Sequence, residues 1–378
     1  MTRLNGIDAH KPSATVHYDW LTAVLPVPTK RDRMGVRVKD WALYQFEKIG
    51  VKFDFWNQMK HGLYTYANAQ VTARDSIIFA WTEDFQEGSI HDCMLQLSGA
   101  GVETLESVLA NQNLTLAEFI RRFCNELGGH FSRVDACANF FNYPKEYSAR
   151  YVGEQALAGN LITRSSSIRV VRRASSKGGK DTDDAYLGTT EGYTLYVGKS
   201  PKQLRIYNKL AERSDKINVR YKLDSWSRWE FQLNGDHAQQ FIDEYLLREC
   251  DLPSTWIGFL AGSYRFIERV GEQKKRSRSP TATWFEKIIN NSIEFRTRIE
   301  RQMPTFERSE KWLSTQVSGT LATVFLTRYK KYLLNGVSEE DARKLAINKV
   351  MKDVDYRINN DDVNLTTVEA WLKERGVE

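Results

Sequence analysis

At 378 residues, 41% of them hydrophobic and 27% charged, the chain can bury a large core and is too apolar to be disordered. Its formal net charge of +6 is a mild basic excess that suits a polyanionic partner without requiring one. Four widely spaced cysteines (Cys93, Cys124, Cys137 and Cys250) exclude a zinc ribbon or a disulfide framework, and no apolar run is long enough to span a bilayer. The leader carries Asp8, His10 and Lys11 where a signal peptide would be apolar, so a cytoplasmic setting is expected.

The first predicted element is a strand over Ala14 to Leu25, with Val16, Tyr18 and Trp20 on one face and Thr15, His17 and Asp19 on the other. Val38 to Val51 has helical spacing and stops at Gly50. Strands follow from Gly62 to Ile90, with Tyr64, Tyr66, Val71, Ile77, Ile78 and Trp81 as core candidates, and Cys93 to Gly99 continues the sheet. Leu105 to Leu109 and Leu116 to Leu127 predict helices, the second opened by a Thr115/Glu118 capping box and closed by Gly128-Gly129. In the strand Phe131 to Phe141, Val134, Ala136 and Ala138 share one face, and Arg133, Asp135, Cys137 and Asn139 the other.

A basic stretch then holds Arg164, Arg169, Arg172, Arg173, Lys177 and Lys180, ahead of Asp181, Asp183 and Asp184. It predicts a mobile loop, either closing on a phosphate backbone or merely solvated. Tyr193 to Val197 and Leu204 to Tyr207 are strands joined by a Gly198-Lys199-Ser200-Pro201 turn. Arg205, Tyr207 and Lys209 share the face opposite Leu204 and Ile206. In Trp226 to Asn234, Trp229, Phe231 and Leu233 oppose Arg228, Glu230, Gln232 and Asn234. A helix spans Asp236 to Arg248. The run Lys274, Lys275, Arg276 and Arg278 before Pro280 suggests a hinge, and helical patterns continue through 312–334, 339–352 and 367–375. The expected division is therefore 1–275 and a helical C-terminal region, 281–378.

These strands together predict an α+β fold whose antiparallel sheet has one apolar face, covered by helices, and one charged face. The charged face would hold Asp19, Arg133, Asp135, Arg205, Tyr207, Lys209, Arg228 and Glu230. An ordinary solvated face with salt-bridged pairs is the alternative. A tyrosine between cations is a plausible nucleophile for phosphate. With a reference pKa of about 10, roughly 0.1% is phenolate at pH 7, a deficit of about 4 kcal/mol that neighbouring positive charge would reduce. Tyr207 would attack, Arg205, Lys209 and Arg228 would stabilise transition-state charge, and carboxylates could hold Mg2+ or Mn2+. There is no P-loop, nucleophile elbow or complete dinucleotide fingerprint, and the six histidines are scattered.

The order RVDACANF, TLYVGKSPKQLRIYNKLAE and SRWEFQLN resembles the Rep_trans-type replication initiation factors. This family includes initiators of rolling-circle plasmids and filamentous phages, with relaxases of conjugative elements as relatives. Asp19-Trp20, Leu97-Ser98-Gly99 and Trp312-Leu313 fit the same pattern. The resemblance implies a nickase at a replication or transfer origin, forming a covalent link through Tyr207. It also implies a divalent ion on acidic residues. The family places a second acid four positions after its Arg-x-Asp, where this chain has Asn139, which leaves Asp135, Glu230 and Asp19 as ligands and Glu212 as a further candidate. DNA is the implied partner, contacted by the basic stretch and by Lys274, Lys275 and Arg276. A host helicase and a second copy of the chain are partners it allows, and a non-catalytic origin-binding regulator is the reading from another class.

Overall fold

The computed structural model describes residues 10–53, 57–72, 76–84, 91–173, 192–217, 223–269, 275–290, 295–297 and 318–359. In chain order the strands are β1 (Ser13–Pro26), β2 (Asn57–Gln58), β3 (Asn68–Val71), β4 (Ile77–Trp81), β5 (Asp92–Ser98), β6 (His130–Phe141), β7 (Leu161–Thr163), β8 (Ile168–Arg173), β9 (Gly192–Lys199), β10 (Lys202–Asn208), β11 (Trp226–Asn234), β12 (Tyr264–Phe266) and β13 (Phe295–Thr297). The helices are α1 (Val38–Lys48), α2 (Gly99–Ala110), α3 (Leu116–Asn125), α4 (Ala149–Leu157), α5 (Lys209–Ile217), α6 (Asp236–Leu247), α7 (Leu252–Ala261), α8 (Thr283–Ile289), α9 (Ser318–Leu334) and α10 (Glu339–Asn359).

One sheet dominates, in the order β2-β3-β4-β5-β1-β6-β11-β10-β9-β8, and every neighbour in that order is antiparallel. Period-two alternation sorts its central strands. Val134, Ala136 and Ala138 of β6, Leu204 and Ile206 of β10, and Trp229, Phe231 and Leu233 of β11 are wholly buried. They share one core with α1–α4 and α6–α8, through residues such as Phe46, Phe123, Phe241, Trp256 and Phe285. Each large side chain so buried contributes about 2 kcal/mol from water exclusion, so the helices settle on this face. The α+β architecture predicted from alternation is therefore the one observed. The capping box of α3 is present, with Thr115 and Glu118 bonding reciprocally, and Gly128 ends it at φ +67°.

The opposite face is only partly covered. Val24, Ala69, Ala80 and Met94 form a small apolar cluster at one end, and Leu210 of α5 packs with Phe141, Leu223 and Trp226 at the other.

Four expectations are corrected. Tyr64 is 74% exposed rather than core; it sits in a turn at φ +54°, and its hydroxyl donates to Gln96. Trp20 does not share a face with Val16 and Tyr18. A bulge between Tyr18 and Trp20 turns it over, so that the Arg133 guanidinium lies 4.3 Å above its ring. Residues 168–173 are a strand rather than a loop, because β9 offers a free edge for six consecutive pairings. Phe295–Thr297 is a strand within the region expected to be helical. It pairs in parallel with Ala14–Val16 of β1, beyond the point where β5 stops pairing at Trp20.

The chain forms two compact units, residues 1–299 and 300–378, and α8 and β13 belong to the first with the sheet. In the second unit α9 and α10 form a helical pair. Ser338 caps α10 through the Asp341 amide, and Ala342 and Ala346 are buried. The helix expected at 367–375 and the Trp312-Leu313 pair lie outside the described residues. Among the described residues, no helix is long and apolar enough to cross a membrane.

Candidate active site on the open face of the sheet

Register brings the polar residues of six strands together. One rung of the sheet runs His17, Cys137, Glu230, Arg205, Tyr196 and Arg169 across β1, β6, β11, β10, β9 and β8. The next runs Thr15, Asn139, Arg228, Tyr207, Thr194 and Val171. Tyr207 therefore stands beside Arg228 and diagonal to Glu230. A cleft of about 360 Å³ opens here, lined in part by Asp19, Tyr196, Arg205, Tyr207, Lys209 and Glu212.

Tyr207 is half-buried, and its hydroxyl donates to Glu230 Oε2 at 2.8 Å. The other Glu230 oxygen is ion-paired with Arg205. Lys209, the first residue of α5, has its Nζ 3.5 Å from Tyr207 Oη and 2.6 Å from Glu212 Oε2. Arg228 is fully buried, with Nη1 2.9 Å from Asp19 Oδ1 and Nε donating to Asn139 Oδ1 at 2.8 Å. Asn139 Oδ1 also accepts from Trp226 Nε1, at 2.9 Å. The residue standing at the family's second acid thus fixes a guanidinium, a role its amide oxygen fills without a charge. Gly99 lets Asp19 in: a Cβ there would lie 2.9 Å from Asp19 Oδ1, which gives Leu97-Ser98-Gly99 a steric reason.

Burying Arg228 and Glu230 in a hydrocarbon core's place costs several kcal/mol per ion before pairing offsets it. Apolar residues would hold the strand as well, so the charges point to chemistry rather than to folding. Burial pushes the Tyr207 phenol well above its ordinary value; Arg228 opposes the rise, while Glu230, Asp19 and Glu212 add to it. Arg228 does favour the phenolate, as expected of a neighbouring cation, but burial outweighs it. Burial and then Arg228 push Lys209 down, with Glu212 opposing. Burial would raise Asp19, but Arg228, His17 and Lys209 hold its carboxyl far below the usual range.

Asp135 accepts both Arg133 bonds, at 3.0 and 2.7 Å, and is 3% exposed. Burial raises it to about 6, with the Arg133 bonds opposing and the Glu230 charge adding to the rise. The folded chain thus holds this proton more tightly than the unfolded one. Its contribution to stability is greatest below about pH 4 and is lost as pH rises through about 6. Asp135→Asn is expected to flatten the stability-versus-pH curve between those limits, as measured by urea unfolding.

The expected metal ligands divide. Asp135 and Glu230 face Arg133 and Arg205. Asp19 joins His17 and Cys137 in a group whose ligand atoms lie within 4.8 Å of one another. His17 Nε2 is 3.2 Å from Cys137 Sγ and 4.0 Å from Asp19 Oδ1. Sequence reasoning passed over His17 and Cys137 because their proximity comes from the β1–β6 register, although alternation had put both on the charged face.

The expected DNA contacts scatter. Arg164, Arg169, Arg172 and Lys275 are exposed, but Arg169 and Arg172 leave β8 on opposite faces, over the rings of Tyr196 and Tyr193 respectively. Arg276 donates to the Leu161 carbonyl at 2.6 Å. Arg173 lies on β8, and Lys177, Lys180 and Lys274 fall outside the described residues.

Comparison with known proteins adds an independent line. No curated protein matches the chain. A solved rolling-circle replication initiator protein from Geobacillus stearothermophilus is similar in fold, at 18% identity and a TM-score of 0.58, covering 76% of this chain and 100% of that one. The family model described as replication initiation factor matches residues 129–372, more than half of the chain and inclusive of β6, β10 and β11. The resemblance carried by those strands holds, and the chain belongs to the replication initiation factor family.

Proposed function

We propose that this replication initiation factor starts rolling-circle replication by nicking one DNA strand with Tyr207. The observation that carries the proposal is the Tyr207 hydroxyl bonded to a fully buried carboxylate, Glu230, at the wall of an open cleft. A phenol held above its ordinary pKa needs its proton removed as it attacks, and Glu230 Oε2 is in hydrogen-bond reach to take it. The phenolic oxygen bonds to phosphorus, the bond from phosphorus to the 3′ oxygen breaks, and that oxygen leaves as the hydroxyl a polymerase needs. The 5′ phosphate stays on Tyr207, so the bond energy is retained for rejoining. Lys209, with its lowered pKa, supports charge at the reacting oxygen and can return a proton to the leaving group. Arg228, anchored by Asp19 and Asn139, supplies fixed positive charge.

A divalent ion would be held by Asp19 and His17, with Cys137 as a third donor, and would polarise the phosphate when bound. This donor set suits Mn2+ better than Mg2+, since imidazole and thiol favour softer ions than an all-oxygen shell does. Nicking of a supercoiled plasmid carrying the replicon's own origin tests the reading. EDTA is expected to stop conversion to the open circle, and His17→Ala to raise the Mn2+ concentration needed for half activity about ten-fold or more. Nicking unchanged by EDTA would contradict the metal part of the reading.

A further inference from the structure

We propose that Arg169 and Tyr196 form a stacking platform for the unpaired base next to the scissile phosphate. This rests on the reading of the cleft as a strand-nicking site. Tyr196 lines the cleft, and the exposed Arg169 guanidinium lies 4.5 Å from the centre of its ring. Register fixes where this pair stands relative to the nucleophile. Arg205 pairs with Tyr196 and Tyr207 with Thr194, so Tyr196 and Tyr207 are diagonal neighbours on one face, about 7–8 Å apart. That is about the reach of one nucleotide along an extended strand.

Three observations favour a base over other uses of this pair. Among the described residues β8 is the last strand of the sheet order, so none of them pairs along its outer edge. Val171, on the same face of β8, lines the same cleft and is 43% exposed, an apolar surface that suits a base rather than a phosphate. Arg172 over Tyr193 is the informative contrast. Tyr193 also contributes to the cleft lining, but it is only 3% exposed and its ring packs against Gly153, so its cation covers a core residue, whereas Tyr196 is half-buried and on the face of Tyr207. Among the described residues no carboxylate is ion-paired with Arg169, while Arg205, Arg228 and Lys209 are all paired with acids. A guanidinium plane with one face on tyrosine leaves the other face for a base.

The test needs no origin sequence, because stacking tolerates any base. A short dT oligonucleotide carrying one 2-aminopurine is titrated with the full chain, following fluorescence quenching and anisotropy. Wild type and Tyr196→Phe are expected to quench alike. Tyr196→Ala and Arg169→Lys are expected to lose most of the quenching, and Tyr196→Ala about five- to a hundred-fold in affinity. Arg169→Lys keeps its charge, so the salt dependence of binding should be preserved while quenching falls. Full quenching by Tyr196→Ala, or an Arg169→Lys variant equal to wild type, overturns the platform and leaves the nicking reading intact. Failure of wild type to bind the oligonucleotide overturns both.

Discussion

Tyr207→Phe is expected to lower nicking of an origin plasmid by about 10⁴-fold or more, to the uncatalysed background, because a phenyl ring offers no atom to attack phosphorus. Duplex binding should survive. The ring keeps its place on β10 between Arg228 and Thr194, and the charges of the cleft are unchanged. Stability should change little, since Glu230 retains its Arg205 partner and loses one hydrogen bond worth about 1 kcal/mol. Gel assays of open-circle formation and of origin binding, run side by side, separate the two effects. Nicking by the variant at the wild-type rate would remove Tyr207 from the chemistry.

Glu230→Gln should slow nicking about 10²- to 10⁴-fold, the range expected for removing a general base. The amide keeps the shape and can still accept from Tyr207, but it cannot carry the proton away. Arg205 would lose its counter-charge. Its side chain is 29% exposed, so water offsets part of that loss and about 1–3 kcal/mol of stability should go. Open-circle formation reads the lost nicking. Added Mn2+ should not restore it. Recovery with Mn2+ would make Glu230 a metal ligand instead, as the family resemblance implies.

Much of this site was legible before the fold was known, and the reason is physical. β6, β10 and β11 are half-buried strands, and a helix-covered face forces large apolar residues onto every second position. Trp229, Phe231 and Leu233 thereby betray that Arg228 and Glu230 point the other way. What alternation does not contain is register. The bulge that inverts Trp20, the approach of His17 to Cys137, and the diagonal placing of Tyr196 and Tyr207 all depend on which residue pairs with which. Pairing also decides charge. Arg205 and Tyr207 alternate onto the same face in any register, yet only the β10–β11 pairing sets Glu230 beside Arg205 and within reach of the Tyr207 hydroxyl, where its charge adds to the rise that burial causes. Composition misled at β8, where the arginines suggested a loop although the edge of β9 organises them as a strand. β13 escaped because three residues are too few to show a period.

The claim on which the account turns is that the Tyr207 oxygen becomes bonded to DNA. A single-stranded oligonucleotide spanning the origin's nick site, incubated with the chain and then denatured, should yield a covalent adduct. Peptide mapping by mass spectrometry should place the nucleotide on Tyr207, within the segment Leu204 to Lys209. An adduct on any other side chain, or nicking with no adduct at all, would contradict the account.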